Sequence, residues 1–146
     1  MKLFIGCDHA AFEEKEELKN YLVGKGVEIC DVGTHENERC DYPDFAKALA
    51  VGVANENEKG ILLCGSGIGV SMVANKFKGI RAALCRSEQD AKLSIEHNNA
   101  NVLCVGARIN TMTEIKSIVE AWFEASFQEG RHADRVAMFD KIGEDV

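Results

Sequence analysis

The chain has 146 residues, 46% hydrophobic and 28% charged, with 13 Gly and a single Pro. That is the length of one domain with one core, 1–146, and the composition excludes a disordered, proline-rich or collagen-like chain. Lys and Arg number 17 against 24 Asp and Glu, a net charge of −7, so the field as a whole repels nucleic acid and anionic membranes and an anionic small substrate needs a local cluster of positive groups.

Leu3-Phe4-Ile5 reads as a buried strand that ends in Gly6-Cys7-Asp8-His9. A helix follows, with Ala11, Leu18, Tyr21 and Leu22 inward, a long acidic and basic face outward, and Gly24-Lys25-Gly26 as its stop. Val27-Glu28-Ile29 is the second strand, ending at Asp31-Val32-Gly33-Thr34. Phe45, Ala46, Leu49, Ala50 and Val53 then repeat at helical spacing. Ile61-Leu62-Leu63 leads into Cys64-Gly65-Ser66-Gly67, and Ala82-Ala83-Leu84 into Cys85-Arg86-Ser87. A fourth helical pattern runs to His97-Asn98 before Val102-Leu103, the fifth strand, which ends at Gly106-Ala107-Arg108. Ile115, Ile118, Val119, Trp122 and Phe123 mark another helix, and Gly130 to Ile142 carries Val136, Met138, Phe139 and Ile142 beyond it.

Strand and helix alternating five times predict an α/β fold. The expected form is a Rossmann-like three-layer sandwich with a five-stranded parallel sheet and helices on both faces. The last segment is expected to form a helix that packs on a neighbouring subunit. In such sheets ligands bind outside the carboxyl ends of the strands. The N-terminal stretch lacks the apolar core of a signal peptide, and no apolar run reaches the roughly 18 residues of a membrane span. A cytoplasmic location is the expectation, with the six Cys as reduced thiols rather than a disulfide framework. Cys7, Cys30, Cys64, Cys85 and Cys104 each close a short apolar run, where Cys most simply serves as a small buried hydrophobe.

The strongest local signal is Cys64-Gly65-Ser66-Gly67-Ile68-Gly69-Val70-Ser71, with three Gly in five residues after a buried strand. Such a loop aims backbone N–H groups at an anion, although a close strand-to-helix crossover also needs small residues. Gly69 is followed by Val70-Ser71, so the Lys of a phosphate-binding Walker loop is missing. The third Gly comes one residue early for a dinucleotide fingerprint, and Cys85-Arg86 stands where an acidic residue would take a ribose hydroxyl. A cysteine phosphatase loop would need Arg where Val70-Ser71 stands. What remains is a thiol at the lip of converging N–H groups, which favour its thiolate. That pairing suits proton removal beside a carbonyl, because the developing enediolate oxygen meets preorganised donors.

Cys7-Asp8-His9 offers two metal ligands at most. No C-x-x-C occurs and the other His show no ligand spacing, so no metal is expected. Asp8 and His9 either project into the crevice of Cys64 or serve as a helix cap beside an incidental His. His97 follows a helix as a group able to move protons near neutral pH. Arg131 and Arg135, at i and i+4, share a helix face and can grip one phosphate or simply stay solvated.

These motifs fall in one order along nearly the whole chain: Gly6-Cys7-Asp8-His9-Ala10, Asp41-Tyr42-Pro43, Cys64-Gly65-Ser66-Gly67-Ile68-Gly69, Ala74-Asn75-Lys76, Arg81-Ala82, His97-Asn98, Asn101-Val102-Leu103, Gly106-Ala107-Arg108 and Gly130-Arg131-His132. In that order the chain resembles the ribose-5-phosphate isomerase B family, in the group that also holds galactose-6-phosphate and allose-6-phosphate isomerases. The resemblance implies an enediolate isomerase of a sugar phosphate in pentose phosphate metabolism, working without metal or organic cofactor. It implies Cys64 as the base moving a proton between C1 and C2, and His97 as an aid to opening the furanose ring. It places Asp8, His9, Tyr42 and Asn98 around the sugar, and Gly65, Ser66, Gly67, Ile68 and Gly69 at the enediolate. Ser66 stands where many relatives carry Thr and keeps the hydroxyl. Arg108, Arg131 and Arg135, with His9, match the phosphate site. The family builds this site between two subunits, implying a homodimer, alone or paired into a tetramer. A six-carbon sugar phosphate as substrate, or a non-catalytic phosphometabolite-binding module, are the alternatives.

Overall fold

The computed structural model describes residues 1–146. Five strands, β1 (Lys2–Cys7), β2 (Glu28–Asp31), β3 (Lys59–Cys64), β4 (Ala82–Leu84) and β5 (Val102–Gly106), form one parallel sheet in the order β2-β1-β3-β5-β4. Six helices accompany them: α1 (Phe12–Gly24), α2 (Tyr42–Glu56), α3 (Ile68–Ala74), α4 (Glu88–Asn98), α5 (Met112–Glu124) and α6 (Arg131–Phe139). The five expected strands are all present. Most of their ends differ from the expected runs, and in the sheet β5 lies between β3 and β4.

Side chains alternate across each strand, so the sheet separates two cores. Leu3, Ile5, Ile61, Leu63, Leu103 and Val105 face α1, α4 and α5 through Leu18, Leu22, Ile95, Ile115, Ile118 and Trp122. Phe4, Leu62, Cys64, Val102 and Cys104 face α2 and α3 through Ala46, Leu49, Ala50, Val53, Val70 and Ala74. The chain leaves β1 toward β2 and then crosses back past β1 to β3. The carboxyl ends of β1 and β3 therefore flank the point where the strand order reverses, the usual crevice for a ligand. No helix is long and apolar enough to cross a membrane.

The charged face of α1 does not all point outward. Lys15 is fully buried, with Nζ 2.7 Å from Asp31 Oδ2 and 2.8 Å from the Thr34 carbonyl. Lys19 Nζ reaches the same carboxylate at 2.9 Å. Burial raises the pKa of Asp31, but the bonds from Lys15, Lys19 and the Gly33 N–H outweigh it and hold the carboxyl below its usual value. The clamp fixes the chain after β2, where Gly33 and Thr34 bond the backbone of Cys7 on β1. A Lys15→Ala variant strips the half-buried Asp31 carboxylate of its main, fully buried partner and is expected to lose about 3 kcal/mol. Urea unfolding checks this. Because Asp31 is depressed in the folded state, its contribution is present above the unfolded carboxylate pKa and fades as pH falls through the folded value. The stability gap between wild type and variant should therefore narrow in acid.

Candidate active site

The loop after β3 is shaped by contacts that glycine alone permits. Gly67 has φ +76°, and a Cβ there would lie 2.6 Å from Leu84 Cδ1 and 2.9 Å from the Val105 carbonyl carbon. A Cβ on Gly69 would meet the Tyr42 ring at 2.6 Å, so the phenol lies directly on the loop. The turn folds back over Cys64, whose Sγ accepts the Gly67 N–H at 3.0 Å. Ser66 Oγ accepts the Ile68 N–H at 3.2 Å, which leaves its own hydroxyl proton free to donate. Gly69 and Val70 lie in the first turn of α3, where N–H groups have no acceptor within the helix.

This loop floors a cavity of about 680 Å³ lined by Asp8, His9, Tyr42, Cys64, Gly65, Ser66, Ile68, Gly69 and Arg108, with Ala10, Met72 and Ile109. Asp8 resolves both of its readings at once. Its Oδ1 caps the turn after β1 by accepting the Ala10 N–H at 2.9 Å, and the residue still borders the cavity. His9 Nδ1 accepts the Cys40 N–H at 3.3 Å, so the neutral ring carries its proton on Nε2. Arg108 is tied in by its backbone N–H to the Gly65 carbonyl at 3.0 Å, and its side chain lies over Gly65. Cys7 belongs to the core rather than the cavity, and burial pushes its thiol up to about 12. No group of three or more His, Cys, Asp or Glu is placed to hold a metal ion.

The other four candidates sit elsewhere. His97 and Asn98 end α4, beside the amino end of β5, whereas Arg108 follows its carboxyl end. Five residues of parallel strand separate the two ends by roughly 17 Å. Arg131 and Arg135 share α6, with Arg135 Nη1 3.4 Å from the Arg131 carbonyl. The helix lies against α4, where the rings of His97 and His132 stack at 4.4 Å and 9°. Desolvation by its surroundings, then His97, Arg131 and Arg135, lower the pKa of His132. Sequence reading missed that stack, since nothing local links two His so far apart. It also missed the Cys40 contact to His9. The ion pairs of the chain use Lys2, Lys15, Lys19, Lys25, Lys78, Arg81, Lys92 and Lys116. Arg108, Arg131 and Arg135 thus stay without a carboxylate partner in an acidic protein. One chain therefore presents two separate groups of candidate residues, one at the carboxyl ends of its strands and one toward their amino ends, each with unpaired arginine.

Comparison with known proteins agrees with the family resemblance carried by the sequence motifs. The family model described as Ribose/Galactose Isomerase matches residues 3–139. The Escherichia coli (strain K12) protein named ribose-5-phosphate isomerase B is 47% identical over 142 residues, covering 97% of this chain and 95% of that one. The Clostridium thermocellum ribose-5-phosphate isomerase B structure superposes with a TM-score of 0.94 at 44% identity, covering 96% of this chain and 95% of that chain. The Mycoplasma genitalium ribose-5-phosphate isomerase B structure, with bound ribulose 5-phosphate, gives a TM-score of 0.92 at 39% identity, covering 95% and 93%. A match of this extent, on a chain whose glycine loop, thiol and arginines are placed as described, shows that the protein belongs to the ribose/galactose isomerase family.

Proposed function

We propose that the protein interconverts D-ribose 5-phosphate and D-ribulose 5-phosphate, in a site shared by two copies of the chain. The observation that carries this is the Cys64 sulfur held by the Gly67 N–H at 3.0 Å on the floor of the cavity. The name of the Escherichia coli relative and the ligand of the Mycoplasma genitalium neighbour support the same substrate.

The chemistry follows from the groups present. In the open-chain aldose, the Cys64 thiolate takes the proton from C2 while O1 becomes an enediolate oxygen. N–H groups of the Gly65 to Gly69 loop, with the Ser66 hydroxyl, stabilise that charge. A proton passes to O1, O2 gives one up, and the Cys64 thiol returns its proton to C1. C1 is reduced as C2 is oxidised, so the reaction needs no external electron acceptor. Asp8, His9, Tyr42 and Asn98 orient the sugar, and His97 moves the proton that opens the furanose. Arg108, Arg131 and Arg135, with His9, hold the phosphate dianion against the repulsion of a −7 chain.

A homodimer reconciles these roles with the separation of the two groups of residues. The partner brings its α6 and the end of its α4 to the cavity. Apolar side chains support such a contact: Ile68, Met72 and Ile109 are exposed at the cavity, and Met138, Phe139 and Ile142 on and after α6. Such a dimer, active on a phosphorylated metabolite, fits a cytoplasmic enzyme. The direct test is an isomerase assay with ribose 5-phosphate, with and without a chelator, beside allose 6-phosphate. Turnover of the pentose phosphate that survives chelation, at the higher kcat/KM, is the expected result. Preference for the hexose phosphate would move the substrate up by one carbon, and no turnover of either would reduce the protein to a binder.

A further inference from the structure

Helix α6 carries Arg131, His132 and Arg135, yet it has little core of its own, since Val136 is its single buried residue. It is held instead at its ends. Near its start, His132 stacks on His97 and the Gln128 N–H bonds the Glu96 carbonyl at 3.0 Å. At its end stands Arg81, from the turn before β4. The Arg81 guanidinium has 15% of its side chain exposed and pairs through Nη1 with Asp140, the C-cap of α6. Its Nε donates at 2.7 Å to the carbonyl of Asn99, the left-handed C-cap of α4. One cation thus bridges the negative ends of two helices, where positive charge is favoured. The backbone that carries this guanidinium is itself held in place, through the main-chain N–H of Arg81. The Arg81 N–H donates to Asn101 Oδ1 at 2.8 Å, Asn101 Nδ2 donates to the Gly79 carbonyl at 2.8 Å, and the Gly79 N–H donates to the Asp140 carbonyl at 3.1 Å.

We infer that Arg81 is a positioning residue: its guanidinium locks α6 to the end of α4 and so sets His97, His132, Arg131 and Arg135 in one arrangement. Its planar fork serves both helix ends at once, which an ammonium on a single stem does not. The consequence for turnover rests on the shared-site reading above. The consequence for the two imidazoles does not.

The test uses Arg81→Gln in the full chain, with Asp140→Asn as the milder variant that keeps the Arg81 bond to Asn99. NMR of the His97 and His132 ring protons reads the stack without any ligand, through their mutual NOE and ring-current shifts. The expected result in Arg81→Gln is a cooperatively unfolding protein that has lost the stacking signature. Its KM for ribose 5-phosphate should rise about tenfold, as when aligned phosphate contacts are lost. Asp140→Asn should shift both readouts the same way by less. An intact stack together with a KM within twofold of wild type overturns the inference, and if Arg81→Gln fails to fold, Asp140→Asn decides by the same criteria. Should the wild type itself leave ribose 5-phosphate unturned, the functional reading fails and the stack alone decides the role of Arg81.

Discussion

A Cys64→Ala variant is expected to lose about three orders of magnitude in kcat for ribose 5-phosphate, the scale of removing a positioned proton-transfer group. Its affinity for ribulose 5-phosphate should stay within about fivefold, or about 1 kcal/mol. The two effects separate because the loop keeps its packing constraints even when the Gly67 N–H loses the sulfur as its acceptor. Gly67 is constrained by Leu84 and Val105, and Gly69 by Tyr42. Neither contact involves Cys64, so the N–H groups and Arg108 remain to hold a ligand. Cys64→Ser should be as inactive, since a hydroxyl is a far weaker acid than a thiol and does not become the base at neutral pH. The other buried sulfurs, Cys7, Cys85 and Cys104, offer no substitute. Burial pushes Cys7 and Cys85 up to about 12 and raises Cys104 as well, which keeps them protonated. The sharper measurement is deuterium exchange at C1 of ribulose 5-phosphate. With its C5 oxygen esterified, this ketose stays open-chain, so exchange needs the base and no ring opening. Exchange that persists in Cys64→Ala at a wild-type rate would remove Cys64 from the mechanism.

The layers of the fold were legible because strands buried on both faces read as short apolar runs, as Ile61-Leu62-Leu63 and Val102-Leu103 do. The glycine loop was legible for a related reason, since a turn that packs on Leu84, Val105 and Tyr42 leaves no space for a Cβ. Strand order was not, because no local signal marks β5 as lying between β3 and β4. Lys15 went unread for the same kind of reason. A lysine on a charged helix face points to solvent unless a distant carboxylate meets it, and Asp31 lies in the next strand. The candidate residues could be named from the sequence, but their arrangement in space could not. Cys64 and His97 look like neighbours in function, yet only the direction of α4 and β5 reveals that they lie toward opposite ends of the strands.

That separation yields an expected result with two opposite outcomes. Cys64→Ala and His97→Asn homodimers should each be inactive with ribose 5-phosphate. A heterodimer of the two, purified by separate tags, should recover about half of wild-type activity. One of its sites joins both altered residues, and the other joins an intact Cys64 to an intact His97. A chain carrying both changes, paired with wild type, should be nearly inactive, because each of its sites then contains one altered residue. A site contained within one chain would invert the pattern, leaving the first heterodimer dead and the second half-active. The structure favours the crossed arrangement because His97 lies across the length of β5 from Arg108, and no side chain spans roughly 17 Å. Activity in the second heterodimer and none in the first would show that α4 and α6 swing to the carboxyl edge of their own sheet. That movement would break the Arg81 bonds to Asn99 and Asp140.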